Sequence, residues 1–221
     1  TIRVTDNSSN TSSPLTVSSF TVGAFKPALA QVTAVPTPTD NITPSYTFFS
    51  TLPGLINYSG DCRSSDNSSD ADNNTIIFNA LSEGPHTNCK ISVTSSASGY
   101  TSDNLSVDNF TIDITAPFVL PVDNVTTLTN DNTSLSYTFS STEGGTITII
   151  GSCSSDNTTA VADNMTVSFA ALADGTYNDC YIKVTDSAGN SRIIKVNTFT
   201  IDTIAPTLEE VTAVTTPTND N

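Results

Sequence analysis

The chain has 221 residues, with 22 Asp and Glu against 7 Lys and Arg, a net charge of −15 and no tryptophan. That balance repels phosphate backbones and anionic lipid headgroups, so neither nucleic acid nor a membrane surface is an expected partner. No apolar run is long enough for a helix to span a bilayer, and membrane insertion is not expected in this stretch.

In chain order, the opening TIRVTD matches YIKVTD (Tyr181–Asp186), so residues 1–27 are expected to be the last strands of a truncated repeat. Residues 28–117 form a first whole repeat with strand signals at SYTFFS, LINYSGDC, NNTIIFNAL, CKISVTS and LSVDNFTID. Residues 118–206 form a second. There SLSYTFSS alternates Leu135, Tyr137 and Phe139 against small polar residues, the pattern of a half-buried strand. Glu143-Gly144-Gly145 is a turn leading into GTITIIGSC, which predicts a hairpin. NMTVSFAAL alternates Met165, Val167 and Phe169, ADGTY turns on Asp-Gly, and CYIKVTD puts Cys180, Ile182 and Val184 on one face. SAGN then turns the chain into IIKVNTFTID. The closing VTAVTTPTNDN matches VTAVPTPTDN near residue 32, so residues 207–221 are expected to open a further truncated repeat. Tyr46, Cys62, Phe78, Cys89 and Val93 return as Tyr137, Cys153, Phe169, Cys180 and Val184, a period of about ninety residues. Short strands at about ten-residue spacing, with no helical period, predict an all-β antiparallel sandwich in each repeat. The sets Tyr46/Phe48, Ile76/Phe78, Leu135/Tyr137/Phe139, Met165/Val167/Phe169 and Ile182/Val184 should face inward.

All four cysteines fall at equivalent places, 27 residues apart in each pair. The expected linkages are Cys62–Cys89 and Cys153–Cys180. Zinc is the rival, but no Cys-x-x-Cys is present, and the single His86 has a tyrosine at its match. Two disulfides imply an oxidising compartment, extracellular or at the cell surface.

The phrases TNDNT (Thr129–Thr133), LADGTY (Leu172–Tyr177), KVTDSAGN (Lys183–Asn190) and TIDTIAP (Thr200–Pro206) stand in this order in the second repeat. FTIDITAP (Phe110–Pro117) repeats as FTIDTIAP (Phe199–Pro206). Together they resemble the bacterial Ig-like tandem repeats of giant cell-surface adhesin and biofilm proteins. The resemblance implies Ig-like sandwiches arranged as a rod, with calcium at domain junctions in several members. It also makes Tyr177 similar to the tyrosine whose hydroxyl caps backbone before the sixth strand of such folds. Departures are His86 at that place in the first whole repeat, SVTSSASG where KVTDSAGN would stand, and Gly23 where the other junctions have Asp113 and Asp202. The cysteine pair is not general in the family either.

Asp113, Asp131, Asp186, Asp202 and Asp220 gather where repeats would meet. One reading is a Ca²⁺ ion at each junction, because a hard cation takes six to eight oxygen ligands. Asp113, with Asp123 or Asp131, would serve the middle junction, and Asp186, Asp202 and Asp220 the last. The other reading is that these residues simply make turns, since Asp and Asn bond their own backbone. Asn-x-Ser/Thr triplets are dense, and Asn41 with Asn132, and Asn73 with Asn164, occupy matching positions as candidate glycosylation sites. No catalytic constellation is visible: His86 is read as a turn residue, and it cannot recur as part of a Ser-His-Asp arrangement. The expectation is a non-catalytic stalk or fibre segment of a secreted, repetitive surface protein. Its partners would be neighbouring repeats, other copies in a fibre, or a surface glycan or protein. The alternatives are a ligand-binding adhesive module and an accessory binding domain of an extracellular hydrolase.

Overall fold

The computed structural model describes residues 1–18, 25–209 and 211. Among them there are strands and turns and no helix. In the first half the strands are β1 (Leu29–Thr33), β2 (Ser45–Ser50), β3 (Gly54–Ser59), β4 (Ser68–Ser69), β5 (Asn73–Ile77), β6 (Gly84–His86), β7 (Lys90–Ser95), β8 (Leu105–Ser106) and β9 (Phe110–Ile112). In the second they are β10 (Val119–Asp123), β11 (Leu128–Thr129), β12 (Ser136–Ser141), β13 (Gly145–Ile150) and β14 (Thr159–Ala160). The last five are β15 (Asn164–Ser168), β16 (Gly175–Tyr177), β17 (Tyr181–Thr185), β18 (Ser191–Lys195) and β19 (Phe199–Ile201). The chain forms two compact units: one of Thr1–Val35, Thr43–Leu81 and His86–Asn109, the other of Pro36–Ile42, Ser82–Pro85 and Phe110–Asn221.

In the first unit, one sheet runs β1-β2-β5 and another β4-β3-β7-β8. Strand β2 alternates as its sequence requires: Tyr46 and Phe48 are fully buried, while Thr47 points outward and shares a 2.8 Å hydroxyl contact with Thr75 on β5. The Tyr46 ring stacks 6.0 Å from Phe78, and burial pushes the Tyr46 hydroxyl pKa up to about 12, with Asp108 adding to the shift. Cys62 and Cys89 are buried and bonded. The unit also holds a hairpin at residues 1–18, bridged at Ile2–Leu15 and Thr5–Thr11.

The second unit repeats the scheme in β10-β12-β15 and β14-β13-β17-β18, and its sheet β11-β19-β16 matches the earlier copy's β6-β9 pair and Thr39–Ile112 bridge. One core joins the two larger sheets, with Tyr137, Phe139 and Val167 from one and Ile147, Ile182 and Val184 from the other, so the unit is sandwich-like. Met165, pairing with Phe139, is only partly buried at the margin of that core. Thr138 and Thr166 make the same outward 2.8 Å contact as Thr47 and Thr75. Cys153 and Cys180 are bonded and buried.

Two expectations need correction. The pairing is not wholly antiparallel: β11 runs parallel to β19, and Thr39 bridges Ile112 in the same sense. The second copy adds a local fixing just before β11. The ladder bulges between Pro121 and Asp123, and the Asn197 amide then clamps Val125 through both its N–H (2.9 Å) and its carbonyl (2.7 Å). The chain passes here from one sheet to the other, beside β19 and in the same direction. Second, His86 is not a turn residue. It lies in β6 and is 5% exposed, because its side chain turns inward at the place Tyr177 holds in the later copy. Tyr177 itself stacks on Phe199 at 5.2 Å, and its hydroxyl donates to the Ala173 carbonyl at 2.9 Å, the backbone cap its resemblance implies.

A glycine opens β13 for a steric reason. A Cβ on Gly145 would lie 2.1 Å from the Thr185 carbonyl oxygen, and Gly54 meets the Thr94 carbonyl at the same distance. Gly145→Ala should therefore lower stability by about 1–3 kcal/mol, read as a lower urea midpoint with unchanged slope. Replacing both Cys153 and Cys180 by serine should cost about 3.5 kcal/mol through the closed loop it opens, measured the same way.

Candidate functional site

In the second unit three carboxylates converge from three different elements. Asp113 follows β9, Glu143 lies in the turn between β12 and β13, and Asp186 follows β17. Their ligand oxygens all lie within 4.8 Å of one another. Local bonding sets each one. The Asp113 N–H donates to the Thr39 carbonyl at 2.9 Å, and its carboxylate accepts from Thr115 N–H at 3.1 Å. Ser141 Oγ accepts from the Glu143 N–H at 3.3 Å and donates to its carbonyl at 2.7 Å, which closes that turn.

Asp186 is the most constrained. Its Oδ1 accepts from the N–H groups of Ala188, Gly189 and Asn190 at 2.8–2.9 Å, and its Oδ2 from Asn190 Nδ2 at 3.1 Å. Asn190 Nδ2 also donates to the Asp113 carbonyl at 2.8 Å, tying the two acidic segments together. Asp6 and Asn10 repeat the first part of this turn: Oδ1 accepts from Ser8 and Asn10 N–H, and Oδ2 from Asn10 Nδ2. The TD-x-x-x-N phrase is therefore a turn device wherever it occurs, whether or not it also faces other carboxylates.

Asp186 is buried, and the other two are half-buried. Glu143 is held above the usual carboxylate range, first by loss of water and then by the charges of Asp113, Asp186 and Glu83. Asp40 adds to the acidic neighbourhood, since a methyl group at Gly189 would lie 3.6 Å from its Oδ2. Among the described residues no Lys or Arg pairs with these three carboxylates within 4.0 Å. An all-carboxylate donor set without Cys or His fits a hard, oxygen-seeking cation and not a soft one.

The structure thus brings together Asp113 and Asp186, which the sequence pattern had assigned to different junctions, and it adds Glu143. Asp131 accepts from Thr133 N–H, Thr133 Oγ1 and Ser134 N–H, and the two N–H bonds hold its carboxyl below the usual range. Asp202 accepts from Ile204 N–H at 3.1 Å. Neither belongs to the three-carboxylate group, and Asp220 lies outside the described residues. Glu143 was legible only as part of a turn. Its match in the first copy is Leu52, and that of Asp186 is Ser95, so nothing in the repeat pattern marks the trio. Among the candidate glycosylation sites, Asn73 and Asn164 open β5 and β15 and are exposed, as is Asn41, while Asn132 is half-buried.

No protein-family model matches the chain, and no curated protein matches it significantly.

Proposed function

We propose that the chain is a non-catalytic stalk or fibre segment: tandem Ig-like β-sandwiches forming a rod, part of a secreted, repetitive cell-surface protein that extends an adhesin or builds an extracellular filament. The observation that carries this reading is that one scaffold is made twice. Sheets β1-β2-β5 and β10-β12-β15 share their pairing and their bulge, and each copy has a disulfide across 27 residues. A chain that copies a scaffold gains length or multivalency, whereas an active site needs only one. The two disulfides favour an oxidising compartment. In small-angle scattering of chains with increasing repeat number, the maximum dimension should grow in proportion to that number. A plateau, or a compact particle, would count against the stalk.

Calcium belongs to the same proposal. Asp113, Glu143 and Asp186 would hold the ion, whose charge would offset the repulsion that raises the Glu143 carboxyl. Asp113 comes from a segment that the repeat pattern gives to one module, and the other two from the next, so a shared ion would stiffen their connection. At a hundredfold excess over Kd, Ca²⁺ should stabilise the fold by about 2.7 kcal/mol, seen as a higher melting temperature that chelator reverses. Glu143→Gln should remove most of that gain. An unchanged melting temperature in calcium would reject the site.

The pH dependence has a definite sign. The folded state holds the Glu143 proton more tightly than the unfolded chain does. Without calcium, Glu143 therefore makes stability fall as pH rises from the ordinary glutamate range through the raised value. Glu143→Gln should flatten that fall in a series of pH-dependent melts.

A further inference from the structure

The first unit has a cavity of about 320 Å³ lined by Lys26, Pro27, Ala28, Leu29, Asp103, Asn104 and Leu105. Its size is at the lower end of the range of small-ligand sites. The walls come from two segments, each tied to the sheets. Ala28 N–H donates to Thr51 Oγ1 at 2.9 Å, and its carbonyl accepts from Thr51 N–H at 3.1 Å. On the opposite side, Ser102 is buried, its N–H donates to the Val93 carbonyl at 2.8 Å, and its Oγ accepts from Val93 N–H at 2.9 Å. Lys26 and Asp103 form an ion pair from one wall to the other.

The lining is of two kinds. Pro27 is buried and Leu29 and Leu105 are half-buried, which gives an apolar part; Lys26, Asp103 and Asn104 are exposed and give donors and acceptors. Two exposed aromatic residues stand beside it. Phe25, 73% exposed, precedes Lys26, and Tyr100, 54% exposed, lies on the opposite segment. Ser98 Oγ links their backbones, donating to the Phe25 carbonyl at 3.1 Å and accepting from Tyr100 N–H at 3.4 Å. The segment exists because the first copy reads SSASGYTSDNLSV where the second reads DSAGNSRIIKV, two residues shorter. In the second copy the shorter turn leads directly into β18, five residues long, whereas β8 has two.

We propose that this cleft binds a neutral saccharide. A sugar ring offers C–H faces for the apolar part and the aromatic residues, and hydroxyls for a carboxylate, an amide and an ammonium. The charge of Lys26 is already matched by Asp103, so the cleft has no spare cation to select an anionic sugar, and a chain of net charge −15 repels one. The site adds a contact function to one module and does not depend on the stalk reading, since the described lining residues all belong to a single unit.

The test is a two-dimensional amide NMR titration of the chain with methyl glucoside, galactoside, mannoside and N-acetylglucosaminide, and with a sialoside as the anionic arm. Saturable shifts are expected for at least one neutral glycoside, confined to residues 25–29 and 98–105, with a Kd on the order of 1 mM. Residues 186–195 of the second copy should not move. Asn104→Ala and, separately, Tyr100→Ser should each weaken binding about tenfold, a loss of about 1.4 kcal/mol. Both residues are exposed, and unchanged resonances of Tyr46 and Val93 would show the variants folded. Absence of a saturable shift with every neutral glycoside, a response to the sialoside alone, or affinity untouched by both substitutions would overturn the proposal.

Discussion

Everything in this chain depends on enclosing one narrow apolar layer between two sheets in a repeat of about ninety residues. Tyr137, Phe139, Val167, Ile182 and Val184 are all essentially without solvent contact, and their counterparts Tyr46, Phe48, Ile76, Ile91 and Val93 are equally enclosed. A module this small removes a smaller share of its surface from water than a larger domain does, so its margin of stability is thin. The buried disulfide lowers the entropy of the unfolded chain and widens that margin. Outward positions and turns vary more freely than this layer, within which the copies differ at Ile76/Val167 and at its edge at His86/Tyr177.

Those turns explain why acidity and structure are hard to separate here. The carboxylates of Asp6, Asp131 and Asp186 each accept several N–H groups of their own turn, which fixes the backbone without any ion. What distinguishes Asp186 is its surroundings: Asn190 reaches on to Asp113, and Glu143 closes the group from a different hairpin. A turn residue becomes a candidate ligand when a second and a third segment bring carboxylates against it.

The strands were legible because period-two alternation is a direct image of a half-buried sheet, and the inward sets at Tyr46, Tyr137, Val167 and Ile182 are where that pattern placed them. The disulfides and the Tyr177 cap were legible from matched spacing and from a resemblance. Other features were not, for physical reasons. The parallel pairing of Leu128–Thr129 with Thr200–Ile201 joins segments more than seventy residues apart, and no local pattern marks it. His86 looks like a loop residue because Gly84 and Pro85 precede it, yet its inward position is set by the core. Glu143 meets Asp113 and Asp186 only through the fold, and the cleft beside Asp103 arises from a two-residue difference in length that no side-chain pattern announces.

The disulfide has a consequence beyond the stability of each copy. Adjacent modules with the same pattern are held at high local concentration, and a strand can pair with the neighbouring module's copy of its partner instead of its own. Cys153 lies just after β13 and Cys180 just before β17, and those two strands pair in one register from Thr146–Thr185 to Ile150–Tyr181. The covalent link therefore records which β17 belongs to which β13. Cys62 and Cys89 do the same for β3 and β7. Once oxidised, a module that is pulled open or transiently melted retains the address of its own partner strand, so a chain of look-alike units can refold side by side without exchanging strands.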